Sequence, residues 1–199
     1  FYWVITGAED FMYDILNLFQ FYRSRCERFS DKILFDESIT YSEAFRMAKS
    51  RAAFLQKKRV KKGDVVVILA ANSAEWCMTY MAITMAGAVV LALDPNLPDA
   101  DYAKMIKAVG AKAAFISAEH SGRIKKIQTF DINFSKNTAA PSAFSEIKIE
   151  PDFPASYSFT SGTTGKPKIV ILSHQNIFAT SISGSIYLGL NESDHFLCI

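Results

Sequence analysis

The sequence predicts an α/β fold in which a parallel β-sheet carries helices on its faces. Apolar, β-branched segments alternate with amphipathic segments of helical periodicity along most of the 199 residues. The segment VVVILA at 65–70 is apolar throughout, which is typical of a strand buried on both faces of a parallel sheet. Since 50% of the residues are hydrophobic, the chain also has enough apolar side chains for a substantial core.

The composition argues against several classes of protein. Lys and Arg number 22 against 20 Asp and Glu, and a net charge of +2 is too small for a typical nucleic-acid-binding protein. Cys26, Cys77 and Cys198 are far apart and odd in number, so we expect no disulfide framework, a reducing environment and a cytoplasmic location. The three histidines lack metal-ligand spacing, and we expect no metal site built by the protein alone.

The first predicted elements are a helix over 10–28 and a short hairpin over 32–40. Thr40 or Ser42 then caps a second helix, because a hydroxyl side chain precedes a run of helical periodicity. The apolar stripe of that helix consists of Ala44, Phe45, Ala48, Ala52 and Leu55.

The stretch from Trp76 to Leu93 carries no charge and is just long enough to cross a bilayer. It is interrupted at Gly87, with a helical pattern over 74–86 before it and β-branched residues over 88–93 after it. We therefore predict a buried helix followed by a buried strand, and not a membrane-spanning segment.

A further helix begins at Pro98 and Asp99, and a short strand follows at 113–116. Residues 129–155 give a weaker pattern with a loop-like centre. The pattern becomes clear again in two strands, SYSFT at 156–160 and KIVILSH at 168–174. A helix then begins at Ser173 or Asn176 and continues to about residue 186.

The segment with the clearest chemistry lies between those two strands and reads Thr160-Ser161-Gly162-Thr163-Thr164-Gly165-Lys166-Pro167-Lys168. Its glycines allow backbone conformations that turn N–H groups inward, and its hydroxyls are short donors for phosphate oxygens. Its lysines add positive charge, so the loop predicts a polyphosphate cradle. Pro167 and the strand after it exclude a Walker A loop, which runs into a helix. The alternative is a surface hairpin rich in turn residues with no ligand.

The loop and the strand after it, TSGTTGKPK-IVILSHQN, resemble the phosphate-loop signature of the adenylate-forming (AMP-binding) enzyme superfamily. Four further segments match the family in order, and the resemblance covers roughly residues 30–199. They are ITYSEAF, VKKGDVVVILAANSAEW, AGAVVLALDPNLP and SDHFLCI. The chain departs from the family at Ile169, where Gly is usual, at Phe159, often Tyr, and at Met85, commonly Lys.

The resemblance implies a fold and a reaction. The fold is part of the large N-terminal domain of an adenylate-forming enzyme, most like an acyl-CoA synthetase. The reaction joins a carboxylic acid, expected here to be a fatty acid, to ATP, and coenzyme A then takes the acyl group with Mg²⁺ as the metal cofactor. The triphosphate would be held by Thr160, Ser161, Gly162, Thr163, Thr164, Gly165, Lys166 and Lys168, with Lys168 as the catalytic residue.

Residues 1–199 are expected to form the N-terminal portion of the AMP-binding domain, truncated within a strand at 195–199, because buried strands rarely end a chain. In the family, the adenine-binding, magnesium-binding and second catalytic lysine residues come later in the chain. We therefore expect the isolated chain to be inactive. The partners expected are the acid, ATP and coenzyme A, without nucleic acid.

Three alternatives to this function stay open. The first is an amino-acid adenylation domain of a peptide synthetase, which belongs to the same superfamily. The second is a non-catalytic nucleotide-binding module, and the third is a P-loop phosphotransferase, against which Pro167 argues.

Two other features have simpler interpretations. The basic run at 57–62 suggests contact with nucleic acid or anionic lipid, but cations at a helix C-terminus explain it, and only peripheral membrane contact stays open. Ser173 and His174 suggest a hydrolase, but neighbours on a strand point to opposite faces and make a poor proton relay. We expect Trp76 and Cys77 to be core residues.

Overall fold

A computed structural model of the protein describes residues 17–35, 38–133, 143–160, 168–191 and 194. The helices are α1 (Leu18–Arg28), α2 (Tyr41–Lys57), α3 (Ala74–Met85), α4 (Asp99–Val109) and α5 (His174–Tyr187). The strands are β1 (Ile33–Phe35), β2 (Ile39–Thr40), β3 (Val65–Leu69), β4 (Val89–Ala92), β5 (Ala113–Ile116), β6 (Gln128–Asp131), β7 (Pro154–Thr160) and β8 (Lys168–Ser173).

Six of these strands form a central sheet in the order β6-β5-β3-β4-β7-β8. The first five run parallel, and β8 lies antiparallel to β7 at the edge of the sheet. Strands β1 and β2 form a separate antiparallel hairpin, as their pattern predicts. The predicted α/β class with flanking helices is confirmed. The antiparallel edge of the sheet arises because β8 follows β7 in the chain and pairs with it as a hairpin.

Helices cover both faces of this sheet. Val66 and Ile68 of β3 pack into one core with α1, α2 and α3. Val67 and Leu69, which alternate with them along the strand, pack into a second core with Tyr102 of α4. This placement follows from right-handed crossovers, because β4 and β5 lie on opposite sides of β3 and their helices must then occupy opposite faces.

Hydroxyl side chains fix the beginnings of two helices, as the sequence predicts. Thr40 caps α2 in a reciprocal capping box with Glu43, which decides between Thr40 and Ser42. Ser173 caps α5 in a second box with Asn176, so the helix begins at Ser173 and not at Asn176. Each box satisfies backbone N–H groups that a helix otherwise leaves without partners.

The uncharged stretch from Trp76 to Leu93 is a buried helix and a buried strand, as predicted. Helix α3 and strand β4 are separated by Gly87, whose φ of +71° suits glycine and is strained for other residues. Within the residues described above, no helix is both long enough and apolar enough to cross a membrane.

Strand β6 is absent from the sequence-based prediction. Its four residues, Gln128–Asp131, lack an alternating pattern, and it pairs with β5 as the parallel edge of the sheet. Only Phe130 provides a strong apolar contact, with its ring 4.9 Å from that of Phe54 and 5.3 Å from that of Phe115. The predicted helical residues 10–16 and the predicted strand at 195–199 lie outside the described residues.

Candidate functional site

The two ends of the predicted phosphate loop are joined by strand pairing. Thr160, the last residue of β7, is the Cα partner of Lys168, the first residue of β8. The hairpin on either side of the loop is therefore confirmed, and the loop leaves and re-enters the sheet at one point. Of the predicted site residues, Thr160 and Lys168 are described, and both are exposed. The others lie outside the described residues, namely Ser161, Gly162, Thr163, Thr164, Gly165 and Lys166.

The hairpin end lies at the carboxyl edge of the parallel strands. Strand β7 pairs with β4 through Leu91 and Tyr157, and three residues further along the chain come Asp94, just beyond β4, and Thr160, the end of β7. In open α/β sheets, ligands bind outside the carboxyl ends of the strands. The topology thus delivers the loop at 161–167 to the edge where a nucleotide would bind.

Strand alternation divides the hairpin between the two faces of the sheet. Lys168 shares a face with Leu172, since the two are four residues apart on β8, and Leu172 lines a cavity on the α1 and α3 face. On β7, Phe159 packs with the α4 core on the opposite face. The Lys168 amine is therefore presented on the same face of the sheet as the cavity.

The loop beside Thr160, between β4 and α4, is held by a network that sequence reasoning missed. The guanidinium of Arg123 donates to the carbonyls of Pro95 and Leu97 and to the carboxylate of Asp99, each at 2.7 Å. Its carbon lies 4.8 Å from the ring centre of Tyr102. No local pattern marks Arg123, because its partners lie 24 to 28 residues away along the chain.

Tyr102 completes this network, and its hydroxyl donates to the carbonyl of Asp94 at 2.9 Å. Asp94 in turn accepts from the backbone N–H of Asn96 at 2.9 Å, in an Asx turn. Burial raises the pKa of the Tyr102 hydroxyl, which therefore stays a donor near neutral pH. The segment DPNLP belongs to one of the motifs that resemble the family. These hydrogen bonds hold it in place next to the hairpin.

His174 joins the base of the hairpin to the first described helix. It opens α5 and is fully buried, and its Nδ1 accepts from the backbone N–H of Leu18 at 3.3 Å. Burial, with a smaller contribution from the charge of Lys62, lowers the pKa of the imidazole to about 4, so the ring is neutral. The neutral ring is required here, because a protonated Nδ1 could not accept this bond.

The expected strand placement of Ser173 and His174 is wrong at His174, since the capping box begins the helix there. The Ser173 hydroxyl accepts from the N–H of Asn176 at 3.1 Å, while His174 bonds to Leu18. The two side chains thus serve separate backbone groups, as expected for residues that form no proton relay.

A cavity of about 330 Å³ lies between α1, α3, α5 and the end of β8. Most of its lining is apolar, including Phe21, Met81 and Ile177. Cys77 also lines it and is only half-buried, so the prediction that Cys77 is a core residue is wrong, whereas Trp76 is partly buried and packs against the core. The ring of Trp76 stacks on that of Tyr80, 5.6 Å away, at the side of this cavity.

The basic run at 57–62 behaves largely as a helix C-terminus. Helix α2 ends at Lys57, and Lys58 is its C-cap. Lys62 is bonded to the carboxylate of Glu150 and to the carbonyl of Lys148, which reduces the charge available to a partner.

The donors known at the hairpin fit a polyphosphate better than a metal ion. Hydroxyl, backbone N–H and lysine donors recognise phosphate oxygens. In the described ranges, no group of three or more His, Cys, Asp or Glu side chains is placed to hold a metal. Mg²⁺ in nucleotide sites is held largely by the substrate phosphates with one or two carboxylates, so the hairpin would contribute to its binding through the phosphates.

Known proteins share both sequence and fold with this chain. It is 30% identical over 184 residues to 4-coumarate–CoA ligase 3 of Arabidopsis thaliana, covering 82% of this chain and 33% of that protein. It is 29% identical over 162 residues to a plipastatin synthase of Bacillus subtilis, covering 78% of this chain and 6% of that protein. The chain spans about a third of the length of the curated CoA ligases it matches.

A solved structure with the same fold is O-succinylbenzoate coenzyme A synthetase from Bacillus subtilis in complex with AMP. Its TM-score is 0.73 at 27% identity, over 87% of this chain and 47% of that one. The sequence model of AMP-binding enzymes matches residues 22–199, which is most of the chain and includes the loop at 161–167. The chain therefore belongs to the AMP-binding enzyme family.

Proposed function

We propose that the protein containing this chain activates a carboxylic acid with ATP and transfers the acyl group to coenzyme A. A carboxylate oxygen attacks the α-phosphorus of ATP, forming a P–O bond to give the acyl-adenylate and releasing pyrophosphate. The thiolate of coenzyme A then attacks the acyl carbon, and AMP leaves. Membership of the AMP-binding family and similarity to acid–CoA ligases support this reaction.

The observation that carries the proposal is the pairing of Thr160 with Lys168 at the carboxyl edge of the sheet. It supports a role for this motif at the departing pyrophosphate, where negative charge develops in the transition state. Lys168 and the loop hydroxyls would bind the β- and γ-phosphates, and Mg²⁺ would add charge neutralisation when bound.

We also propose the chemical class of the carboxylic acid substrate. The expectation of a fatty acid rests on the resemblance alone, whereas the relatives are named for 4-coumarate and 2-succinylbenzoate, both of which contain an aromatic ring. We therefore favour an aryl acid as the substrate. A second candidate is an amino acid loaded onto a carrier protein, favoured by the match to the plipastatin synthase.

The test is ATP–pyrophosphate exchange by the protein at its native length, with aryl acids, fatty acids and amino acids offered separately. We expect exchange with an aryl acid and, on adding coenzyme A, release of AMP and an aryl thioester. Exchange with amino acids alone would favour the second candidate. Absence of exchange with every acid, in protein that binds ATP, would support a non-catalytic nucleotide-binding module instead.

A further inference from the structure

Exposed cations are concentrated at the amino edge of the central sheet, opposite Thr160 and Lys168. Strands β3, β5 and β6 are parallel neighbours there, since Ala113 pairs with both Val66 and Gln128. The residues that precede these strands therefore lie side by side at one end of the sheet. Eight exposed cations occur there and at the ends of α2 and α4, and we call them the basic edge. They are Lys57, Lys58, Arg59, Lys61, Lys107, Lys112, Lys125 and Lys126.

Few carboxylates balance the charge of the basic edge. The segments 57–64, 107–112 and 124–128 contain Asp64 as their one acidic residue, although the whole chain has 20 Asp and Glu. The Asp64 carboxylate accepts from the backbone N–H of Lys61 at 2.9 Å. Among the residues that the structure describes, no cation of the basic edge is in an ion pair. A net charge of +2 is compatible with a strongly positive edge, because most acidic residues lie elsewhere.

The positive surface has a boundary on the side of β4 and β7. In the segment that precedes β7, Glu150 is paired with Lys62, and Glu146 with Arg23 at 3.3 Å. Charges of both signs are balanced in that segment. The positive surface is therefore confined to the part of the amino edge formed by β3, β5 and β6.

Helix C-termini explain only part of the basic edge. Lys57 and Lys107 lie in the last turns of α2 and α4, where cations interact favourably with the helix dipole. Lys112, Lys125 and Lys126 lie outside the helices, so the dipole does not account for them.

Two cations of the basic edge occupy backbone positions that favour glycine. Arg59 has a φ of +63° and Lys126 a φ of +73°, both in the left-handed region. Within the described ranges, these are the two residues other than glycine with positive φ. Because such a conformation is strained for a residue with a side chain, the choice of a cation there indicates a role other than stability.

The residue types of the basic edge fit an anionic membrane surface better than a nucleic acid. All of its cations except Arg59 are lysines, whereas arginine supplies the bidentate contacts that read bases. The segments 57–64, 107–112 and 124–128 also lack the aromatic residues on which unpaired bases stack. A bilayer with anionic lipids attracts clustered lysines without demanding a fixed geometry.

We infer that the basic edge holds the protein reversibly against a bilayer that contains anionic lipids. Charge without a hydrophobic anchor gives reversible binding, which salt weakens by screening. Strands β3 and β5 span five and four residues, so the two edges of the sheet are about 15 Å apart. The edge with Thr160 and Lys168 would face away from the membrane and stay open to ATP. The inference does not depend on the proposed reaction.

Co-sedimentation of the native-length protein with lipid vesicles tests the inference. One set of vesicles is phosphatidylcholine alone, and the other contains about 30% phosphatidylserine. In about 50 mM NaCl, we expect binding to the anionic vesicles to be at least about tenfold tighter, and about 300 mM NaCl should remove most of it. Absence of binding to the anionic vesicles in low salt, or equal binding to the two sets, would overturn the inference.

Two triple variants with the same loss of charge locate the binding surface. The first replaces one lysine before each of the three strands, and the control replaces three exposed lysines elsewhere. We expect the first to weaken binding at least about tenfold and the control less than about threefold, whereas equal losses would contradict the inference. The first combines Lys61→Gln, Lys112→Gln and Lys125→Gln, and the control combines Lys32→Gln, Lys49→Gln and Lys104→Gln.

Arg59→Gly and Lys126→Gly separate binding from stability. Each should weaken binding to the anionic vesicles by about threefold or more. The thermal midpoint should not fall, because relief of the strained φ offsets the greater freedom that glycine gives the unfolded chain. A lower midpoint with unchanged vesicle binding would mean that these cations serve the fold, against the inference.

A labelled DNA duplex, measured by fluorescence anisotropy in the same low-salt buffer, tests the other class of polyanion. At equal phosphate concentration we expect the duplex to bind more weakly than the anionic vesicles. Tighter binding of the duplex, lost in the first triple variant, would assign the basic edge to nucleic acid and overturn the membrane assignment. If vesicle binding follows the basic edge but no acid supports pyrophosphate exchange, this inference stands and the proposed function fails.

Discussion

Thr160 and Lys168 are Cα partners at the open end of an antiparallel hairpin, so a hydroxyl and an amine flank the phosphate loop from both sides. The pair also marks the carboxyl edge of the sheet, because β7 runs parallel to β4. The positions of Thr160 and Lys168 are thus set by backbone pairing that extends from the core.

The capping box of α2 predicts unequal effects at two neighbouring hydroxyls. Thr40→Ala removes the oxygen that accepts from the N–H of Glu43 at 3.2 Å and should lower the free energy of unfolding by about 1 kcal/mol. Ser42→Ala is the matched control and should cost less than about 0.5 kcal/mol. Urea unfolding measures both, and equal losses would contradict the assignment of the cap.

His174 predicts a loss of stability in mild acid. Burial lowers its pKa to about 4 from an ordinary value of 6.5, so below pH 6.5 the unfolded chain gains a proton that the folded chain does not. The stabilisation that comes from keeping His174 neutral is complete above pH 6.5 and decreases as the pH falls from 6.5 to 4. Near pH 4, the free energy of unfolding is lower by about 3 kcal/mol.

Urea unfolding between pH 7 and pH 4.5 checks this window. His174→Gln should flatten the pH dependence of the free energy of unfolding. A slope that is the same in His174→Gln and in the wild type would exclude His174 as its source.

Two substitutions in the network around Tyr102 should destabilise the loop between β4 and α4 to different extents. Tyr102→Phe removes the 2.9 Å bond to the carbonyl of Asp94 and should cost about 1 kcal/mol. Arg123→Lys keeps the charge but lacks the planar fork that donates to two carbonyls and a carboxylate, and should lower the thermal midpoint further. Hydrogen exchange at Asn96 should accelerate in both variants, and unchanged exchange would contradict the bracing role.

Ile169 stands where the family usually has glycine, and its strand position predicts a structural role. It pairs with Phe159 and is offset by one residue from Lys168, so it lies on the opposite face. Ile169→Gly should lower the free energy of unfolding by about 1 kcal/mol, because glycine weakens a strand interior. The KM for ATP should stay the same, and a large rise would mean that Ile169 shapes the loop.

Periodicity in the sequence was sufficient to predict much of the fold. The uniformly apolar β3 and the break at Gly87 both reflect burial inside a sheet, and the structure has both where they were predicted. Strand β6 was missed because it is exposed and gains its pairing from β5, which local pattern cannot reveal. The predicted strand at 168–174 is one residue too long at His174, since Ser173 both ends β8 and caps α5.

Thr160 and Lys168 belong to one continuous motif, so the composition of that segment and its resemblance to a family signature make them candidate site residues. Arg123 reaches the β4–α4 loop, and the residues of α1, α3 and α5 meet around their cavity, only through tertiary packing. No single segment carries a signal for these contacts.

The central claim is that Lys168 binds the pyrophosphate that leaves ATP, and one measurement tests it most directly. ATP–pyrophosphate exchange is compared in the native-length protein for Lys168→Ala and for Lys112→Ala, an exposed lysine at the amino edge of the sheet. We predict that Lys168→Ala slows exchange by about 100-fold while the dissociation constant of the acid changes little, and that Lys112→Ala exchanges at the wild-type rate. Wild-type exchange by Lys168→Ala would contradict the account.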